Sequence, residues 1–486
     1  MRMRHGLALL LLGCATAVQA QLPPAVLHAL KSADIPAAAV AVVVQPVEAG
    51  KPRVSHRADV PMNPASLMKL LTTLAALERL GPAHTWRTEA LAERSPDADG
   101  VLAGDLILRG GGDPKLTHER LWLLLRELRG RGLREIRGDL VLDRSAFAAI
   151  EHDPAAFDGR PQRPYNVGAD ALLFNFATLH LTLIPDGRSV RVLTEPQPAG
   201  LDVDNRLRLV EGKPCGAWRE ALAARFSPAE LVLEGDFPRS CGEKRWHLAG
   251  LPNAQLLHGV FARYWRELGG SFSGRVREGS TPENAVTLAV AESPPLAEIV
   301  RDINKFSNNV MAWQLFLTLG ANGTAALAVS PPARAGLGVG GQKVGAGETA
   351  TADRQIRQWL AGKGLDFPEL AIDNGSGLSR TNRISAVSLA RLLAAGWASP
   401  VMPELIASLP VAGTDGTTRR RFNGNGVAGR AHLKTGSLEG VRGIAGYLLD
   451  RQGRRHIVVF MVNHPNAAQA QAAFDALLDG IWQGHP

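Results

Sequence analysis

Ser66 and Lys69 stand three residues apart in PASLMKLLTTLAALERLG, residues 64–81. Arginine outnumbers lysine here by 44 to 10. Each scarce lysine therefore merits inspection, because a buried amine can surrender its proton and a guanidinium cannot. Leu67, Leu70, Leu71, Leu74 and Leu77 fall on one helical face, Pro64 suits a first turn and Gly81 a stop, so the segment predicts a helix. On a helix, positions i and i+3 are neighbours. An amine beside a hydroxyl is the minimal set that activates a serine without histidine. Two further patterns follow in order: Ser307-Asn308-Asn309, and Lys434-Thr435-Gly436 just before a strand-like run. A lone Ser-x-x-Lys equally suits a hydroxyl bonded to its own backbone and a lysine lying along the surface. Three patterns in this order suit acyl transfer through serine.

The elements that must position these residues can be read from periodicity. Residues 37–47, AAAVAVVVQPV, read as a buried strand, and 101–109, VLAGDLILR, as another. The latter runs into Gly110-Gly111-Gly112-Asp113-Pro114, which lacks the Gly-Lys-Ser/Thr ending of a phosphate loop and reads as a turn. Residues 116–132 predict a helix, and IRGDLVLD and ALLFNFATLHLTLIP predict strands. Residues 150–250 look like a separate β-rich module. Residues 323–350, rich in Gly and Ala, read as a flexible loop. GVRGIAGYLLD and RRHIVVFMVN read as two antiparallel strands, and NAAQAQAAFDALLDGIW as a closing helix. The pattern is one α/β domain split by a long insertion.

The composition, 45% hydrophobic and 21% charged over 486 residues, is that of a globular protein and excludes a disordered or collagen-like chain. The net charge of +8 falls to +6 without Arg2 and Arg4. Such a mild excess suits an anionic polymer or at most peripheral membrane contact, and does not call for nucleic acid. A basic start, an apolar run Gly6–Gly13 and small residues Val18 and Ala20 predict a signal peptide over 1–20 and an exported, periplasmic protein. Leu11-Leu12-Gly13-Cys14 is similar to a lipoprotein box, which leaves a lipid anchor through Cys14 as the alternative. Cys215 and Cys241 then remain, and an even pair in an exported chain predicts a disulfide worth roughly 3–4 kcal/mol. Two cysteines without histidines at ligand spacing make no metal site, and no cofactor is expected.

The three patterns together resemble the signature of penicillin-recognising serine enzymes. PASLMKLLTTLAAL, GDLILRGGGDPKL, INKFSNNVMA, IDNGSGLSR, LPVAGTDGT and HLKTGSLEGV are similar to class C low-molecular-mass penicillin-binding proteins, the D-alanyl-D-alanine carboxypeptidase/endopeptidase type. The likeness covers nearly the whole chain after residue 20, including the long insertion between the first two motifs. It implies an α/β (α+β) fold: a transpeptidase/β-lactamase-like domain with a five-stranded antiparallel sheet flanked by helices, interrupted by two inserted β-rich modules. The expected division is 21–88 and 285–486 for that domain, 89–170 with 250–284 for the first module, and 171–249 for the second, with the cysteine pair.

By the same resemblance, Ser66 is the nucleophile, Lys69 its base, and Ser307 the relay of a proton to the leaving amine. Asn309 holds the substrate amide, and Lys434 and Thr435 bind its terminal carboxylate. Gly436 lets the substrate backbone lie against the strand. The N–H groups of Ser66 and Ser437 form the oxyanion hole. The implied partners are peptidoglycan peptides, with β-lactams as inhibitors. Asp158 is the candidate acid for contacting the substrate's side chain. Lys305 beside Ser307 and His432 on the face of Lys434 are weighed as site or structural residues, and His258 as structural. Asp373–Gly377 is not a Gly-x-Ser-x-Gly elbow and reads as a wall of the cleft. Two other activities stay open: a β-lactamase of the same superfamily, for which no Glu-x-x-x-Asn segment is evident, and a non-catalytic murein-binding scaffold.

Overall fold

The computed structural model describes residues 22–48, 51–148, 150–321, 347–422 and 426–485. The expected signal peptide, Cys14 and residues 323–346 of the expected flexible loop lie outside the described residues. The last residues of that loop, from Gly347, instead begin a helix, Gly347–Gly362.

The chain's two ends build one five-stranded antiparallel sheet. Its order is Ala431–Leu438, Val441–Leu449, Arg455–Asn463, Val40–Pro46, Val54–His56. Period-two alternation explains why its inner strands are apolar throughout. Val40, Val42, Val44, Val458 and Phe460 face the terminal helices Pro24–Ser32 and Gln471–Gln483, packing on Val26, Leu30, Phe474 and Leu477. Ala41, Val43, Ile457, Val459 and Met461 face the helices Met68–Leu80 and Ala386–Trp397. Both faces are therefore covered, and the strand Ala431–Leu438 is left at an edge, bridged by Val411 at His432 and open beyond Leu433.

Between the halves stands a mixed five-stranded sheet, ordered Val276–Glu278, Leu140–Asp143, Leu106–Gly110, Arg87–Ala92, Val286–Glu292. Two three-stranded sheets follow within residues 178–249, and one apolar core runs through all three. The chain enters and leaves this region at one point: Ser293 N–H donates to Trp86 O at 2.9 Å, and Trp86 N–H donates to Ser293 Oγ at 3.0 Å. The division expected at 88/89 cuts the strand Arg87–Ala92, and that at 284/285 separates it from its partner Val286–Glu292. Short alternating strands carry no mark of their partner, so the pairing was invisible in sequence.

Other expectations shift locally. Ala37–Ala39 forms a 3-10 turn before the strand that starts at Val40. The expected strand 101–109 is two, Val101–Leu102 and Leu106–Gly110, broken where the Asp105 carboxylate accepts the Asp139 N–H at 2.7 Å. The stretch Asn175–Ala177 has positive φ throughout, so the strand expected from residue 171 starts at Thr178. Lys434-Thr435-Gly436 lies inside a strand, not ahead of one. No helix among the described residues is long and apolar enough to cross a membrane.

Cys215 and Cys241 form the expected disulfide, closing a loop of 26 residues in sequence. Half of it, Cys241, packs in the core of the inserted sheets. Replacing both cysteines by alanine is expected to lower unfolding stability by about 3 kcal/mol, chiefly by freeing the unfolded chain. Denaturant titration of the oxidised protein and the variant checks this, and coincident midpoints would contradict it.

Candidate active site

The turn that carries Ser66 is held under strain. Ala65 is fully buried with φ of 47°, a conformation that costs a non-glycine residue about 1–3 kcal/mol. Its neighbours enforce it. Asn63 Oδ1 accepts the Ala65 N–H at 2.9 Å, and Asn63 Nδ2 donates to Ser379 O at 2.8 Å. Asn63 and Asn463, at the end of a sheet strand, exchange two more bonds at 2.9 and 3.0 Å. A 3-10 turn, Ala65–Leu67, then leads into the helix Met68–Leu80, so Ser66 sits at its mouth and Lys69 one turn in.

Two glycines permit this crowding. Gly377 has φ of 83°, and a Cβ there would lie 2.0 Å from Ala65 O. A Cβ on Gly436 would lie 2.6 Å from Pro64 O. Gly436 is thus required by the strand's approach to the turn that carries Ser66, a reason additional to the substrate contact that the resemblance implies.

Lys69 is fully buried and its amine has three oxygen neighbours: Ser66 Oγ at 3.0 Å, Asn309 Oδ1 at 2.7 Å and the Ser376 carbonyl. Burial, and then the nearby charge of Lys434, hold its pKa well below the ordinary lysine value. The two carbonyl-type oxygens can only accept. A neutral amine has two N–H groups, which they consume, so its lone pair is left for the Ser66 hydroxyl. An ammonium would donate to all three oxygens, so it is burial, by lowering the pKa, that favours the form able to take a proton from serine.

Ser307 ends the helix Leu296–Phe306 in a left-handed conformation, φ 56° and ψ 37°. Asn308 Oδ1 accepts the Met311 N–H at 3.1 Å and starts the helix Asn309–Ala321. This break turns Ser307 toward Lys434 and Asn309 toward Lys69. Lys434 Nζ donates to Ser307 Oγ at 2.8 Å and to Thr435 O at 2.7 Å. Lys434 is also fully buried, and burial draws its pKa down to about 7. On the open edge of the strand, Leu433 N–H donates outward to Pro410 O at 2.8 Å. The two-residue period aims the N–H groups of Thr435 and Ser437 at the same side.

Ser66, Ser307, Asn309, Thr435 and Ser437 line a cleft of about 720 Å³. The inserted region supplies its far wall. Asp158 lines it, accepting from Tyr165 Oη and Asn166 Nδ2, each at 2.7 Å. Asn309 Nδ2 reaches Tyr165 O at 3.3 Å. The Gly-Ser-Gly loop expected as a wall does more, since its Ser376 carbonyl binds Lys69. Lys305 donates to Asp415 at 2.6 Å. His432 and His258 pair with the carbonyls of Ile406 and Gly274 and are absent from the cleft's lining. Sequence reasoning missed Asn63, Ala65 and Thr417, which also lines the cleft. The glycines at 375 and 377, and the Asp-Gly-Thr turn before the third motif, were the available signals.

The family model for D-Ala-D-Ala carboxypeptidase 3 (S13) matches residues 24–331 and 333–481. The chain belongs to this family. It is 29% identical over 453 residues to the D-alanyl-D-alanine carboxypeptidase of Actinomadura sp. (strain R39), covering 89% of this chain and 79% of that protein. It is 26% identical over 425 residues to the D-alanyl-D-alanine carboxypeptidase DacB of Haemophilus influenzae, covering 82% and 80%. The crystal structure of penicillin-binding protein 4 from H. influenzae superposes with a TM-score of 0.72 at 22% identity, covering 91% of this chain and 96% of that one. The S13 fold is therefore shared: an α/β (α+β) molecule whose antiparallel sheet is interrupted by β-rich insertions.

The buried amines carry a stability signature. Lys434 sheds its proton near pH 7 when folded and near about 10.4 when unfolded. Between those values the unfolded chain binds more protons, so folding stability rises with pH. Relative to Lys434→Met, the wild type should gain about 2 kcal/mol from pH 7 to 9. Denaturant midpoints across that range check it, and parallel curves would contradict it.

Proposed function

We propose that this protein is a serine DD-peptidase that cleaves D-alanyl-D-alanine peptides of peptidoglycan through a Ser66 acyl-enzyme. The observation that carries the reading is the fully buried Lys69 amine 3.0 Å from Ser66 Oγ, with its other contacts both to acceptors. Lys69 takes the Ser66 proton as Oγ attacks the carbonyl between the two D-alanines. The Ser66 and Ser437 N–H groups stabilise the resulting oxyanion, each worth roughly 3–4 kcal/mol of barrier. Ser307, held by Lys434, returns a proton to the leaving amine, and water then hydrolyses the ester.

Thr435 and the charge of Lys434 receive the terminal carboxylate. An arriving anion favours protonated Lys434, so binding takes up a proton. Asn309 both seats Lys69 and faces the substrate amide. Asp158 is the acid proposed to meet the stem peptide's side chain from the inserted wall. The strained amide of a β-lactam has the same carbonyl and carboxylate, so it acylates Ser66. Carboxypeptidase and cross-link endopeptidase action share this site and differ in the leaving group. The signal-like start and the disulfide support export to the periplasm, with a lipid anchor at Cys14 as the alternative.

Fluorescent penicillin is expected to give a stable adduct on the purified protein lacking residues 1–20 and none on Ser66→Ala, with D-alanine released from a D-alanyl-D-alanine peptide by the wild type alone. Transient label with free hydrolysed penicillin would instead indicate a β-lactamase. No adduct on either protein, with murein still bound, would indicate a scaffold.

A further inference from the structure

Thr417 lies across the cleft mouth from the third motif, with its Oγ1 2.8 Å from Thr435 Oγ1. It is exposed, and both threonines line the cleft with Ser66 and Ser437. Thr417 sits in a 3-10 turn, Gly416–Thr418, that is tied to both halves of the site. On one side Lys305, just ahead of Ser307, donates to Asp415 Oδ2 at 2.6 Å, and a Cβ on Gly416 would lie 2.6 Å from Lys305 O. On the other, Asp415 Oδ1 accepts the Val411 N–H at 2.8 Å, and Val411 bridges to His432 in the strand that carries Thr435. Thr418 Oγ1 closes the turn onto Val411 O at 3.0 Å. The position of the Thr417 hydroxyl is therefore built, not incidental.

Two hydroxyls at this spacing satisfy one another through a single proton, leaving the other proton and the remaining lone pairs to the solvent. A carboxylate is an acceptor only, and can draw one proton from each hydroxyl in place of their mutual bond. The surroundings favour an anion. Lys434 lies behind Thr435, donating to its carbonyl at 2.7 Å. Asp415, the acid nearest Thr417 in sequence, is engaged by Lys305 and the Val411 N–H.

We propose that Thr417 is a second hydroxyl donor to the terminal carboxylate of the substrate, acting beside Thr435 and selecting chains that end in a free carboxylate. This rests on the DD-peptidase reading for the identity of the substrate, but the contact can be tested apart from it. Benzylpenicillin presents the carboxylate and its methyl ester does not. Ser66 acylation rates with both compounds are compared for the wild type, Thr417→Val and Thr417→Ser. Thr417→Val is expected to slow acylation by the acid roughly 10- to 100-fold, as for loss of a hydrogen bond to a charged group, while leaving the ester nearly unchanged. Thr417→Ser should restore the acid rate. An acid rate for Thr417→Val equal to wild type, or an equal loss with acid and ester, would overturn the proposal. So would a wild type that neither compound acylates, and that result would overturn the peptidase reading too. Release of D-alanine from a D-alanyl-D-alanine peptide is measured separately. Its absence beside a collapsed acid-to-ester ratio would remove the peptide reading and leave the Thr417 contact standing.

Discussion

A lysine amine enclosed in protein, hydrogen-bonded to two carbonyl-type oxygens and one serine hydroxyl, is the constraint around which this molecule is organised. Burial away from water, and then the charge of Lys434, work against the ammonium and draw its pKa well below the ordinary lysine value. Everything near it serves the enclosure. The Asn63–Asn463 pair fixes the strained turn, Gly377 and Gly436 allow two chains to press against it, and Asn309 and Ser376 orient the amine. A second buried lysine, Lys434, stands beyond Ser307. Two buried amines weaken the fold at neutral pH, an instance of stability yielded to function. The apolar core on both faces of the terminal sheet offsets that cost.

The long insertion is more than an appendage. It leaves and rejoins the sheet-bearing part at the Trp86–Ser293 contact, and its return places Asp158 and Tyr165 across the cleft from the open strand edge. One wall of the cleft is thus the sheet edge with its outward N–H groups, and the other is contributed by residues far away in sequence. An edge strand is ordinarily a liability. Here it is shielded in a cleft, and the proposed reaction gives its outward donors a ligand's backbone or oxyanion to meet.

Much of this was legible in the sequence because it rests on local rules. The leucine period from Leu67 to Leu77 marked the helix that carries Lys69, although Ser66 stands in the 3-10 turn at its mouth and not in the helix itself. The paired cysteines were found by counting, and the last two strands by their apolar runs. The order of three short motifs pointed to the residues that line the cleft. What escaped depends on contacts distant in sequence. Gly436 was explained by the substrate, because nothing local reveals that Pro64 lies against it. The strands Arg87–Ala92 and Val286–Glu292 were separated, because pairing across the whole insertion leaves no periodic trace. Thr417 was not singled out, because nothing local reveals that its turn stands against Thr435 and Lys305.

The central claim is that burial holds the Lys69 pKa well below that of an ordinary lysine. The most direct test is ¹⁵N NMR of the lysine side-chain amines in selectively labelled protein, with Lys69 assigned through Lys69→Arg. The account predicts a Lys69 signal that loses its proton well below the exposed lysines. A Lys69 that titrates with them, at about 10.4, would contradict it.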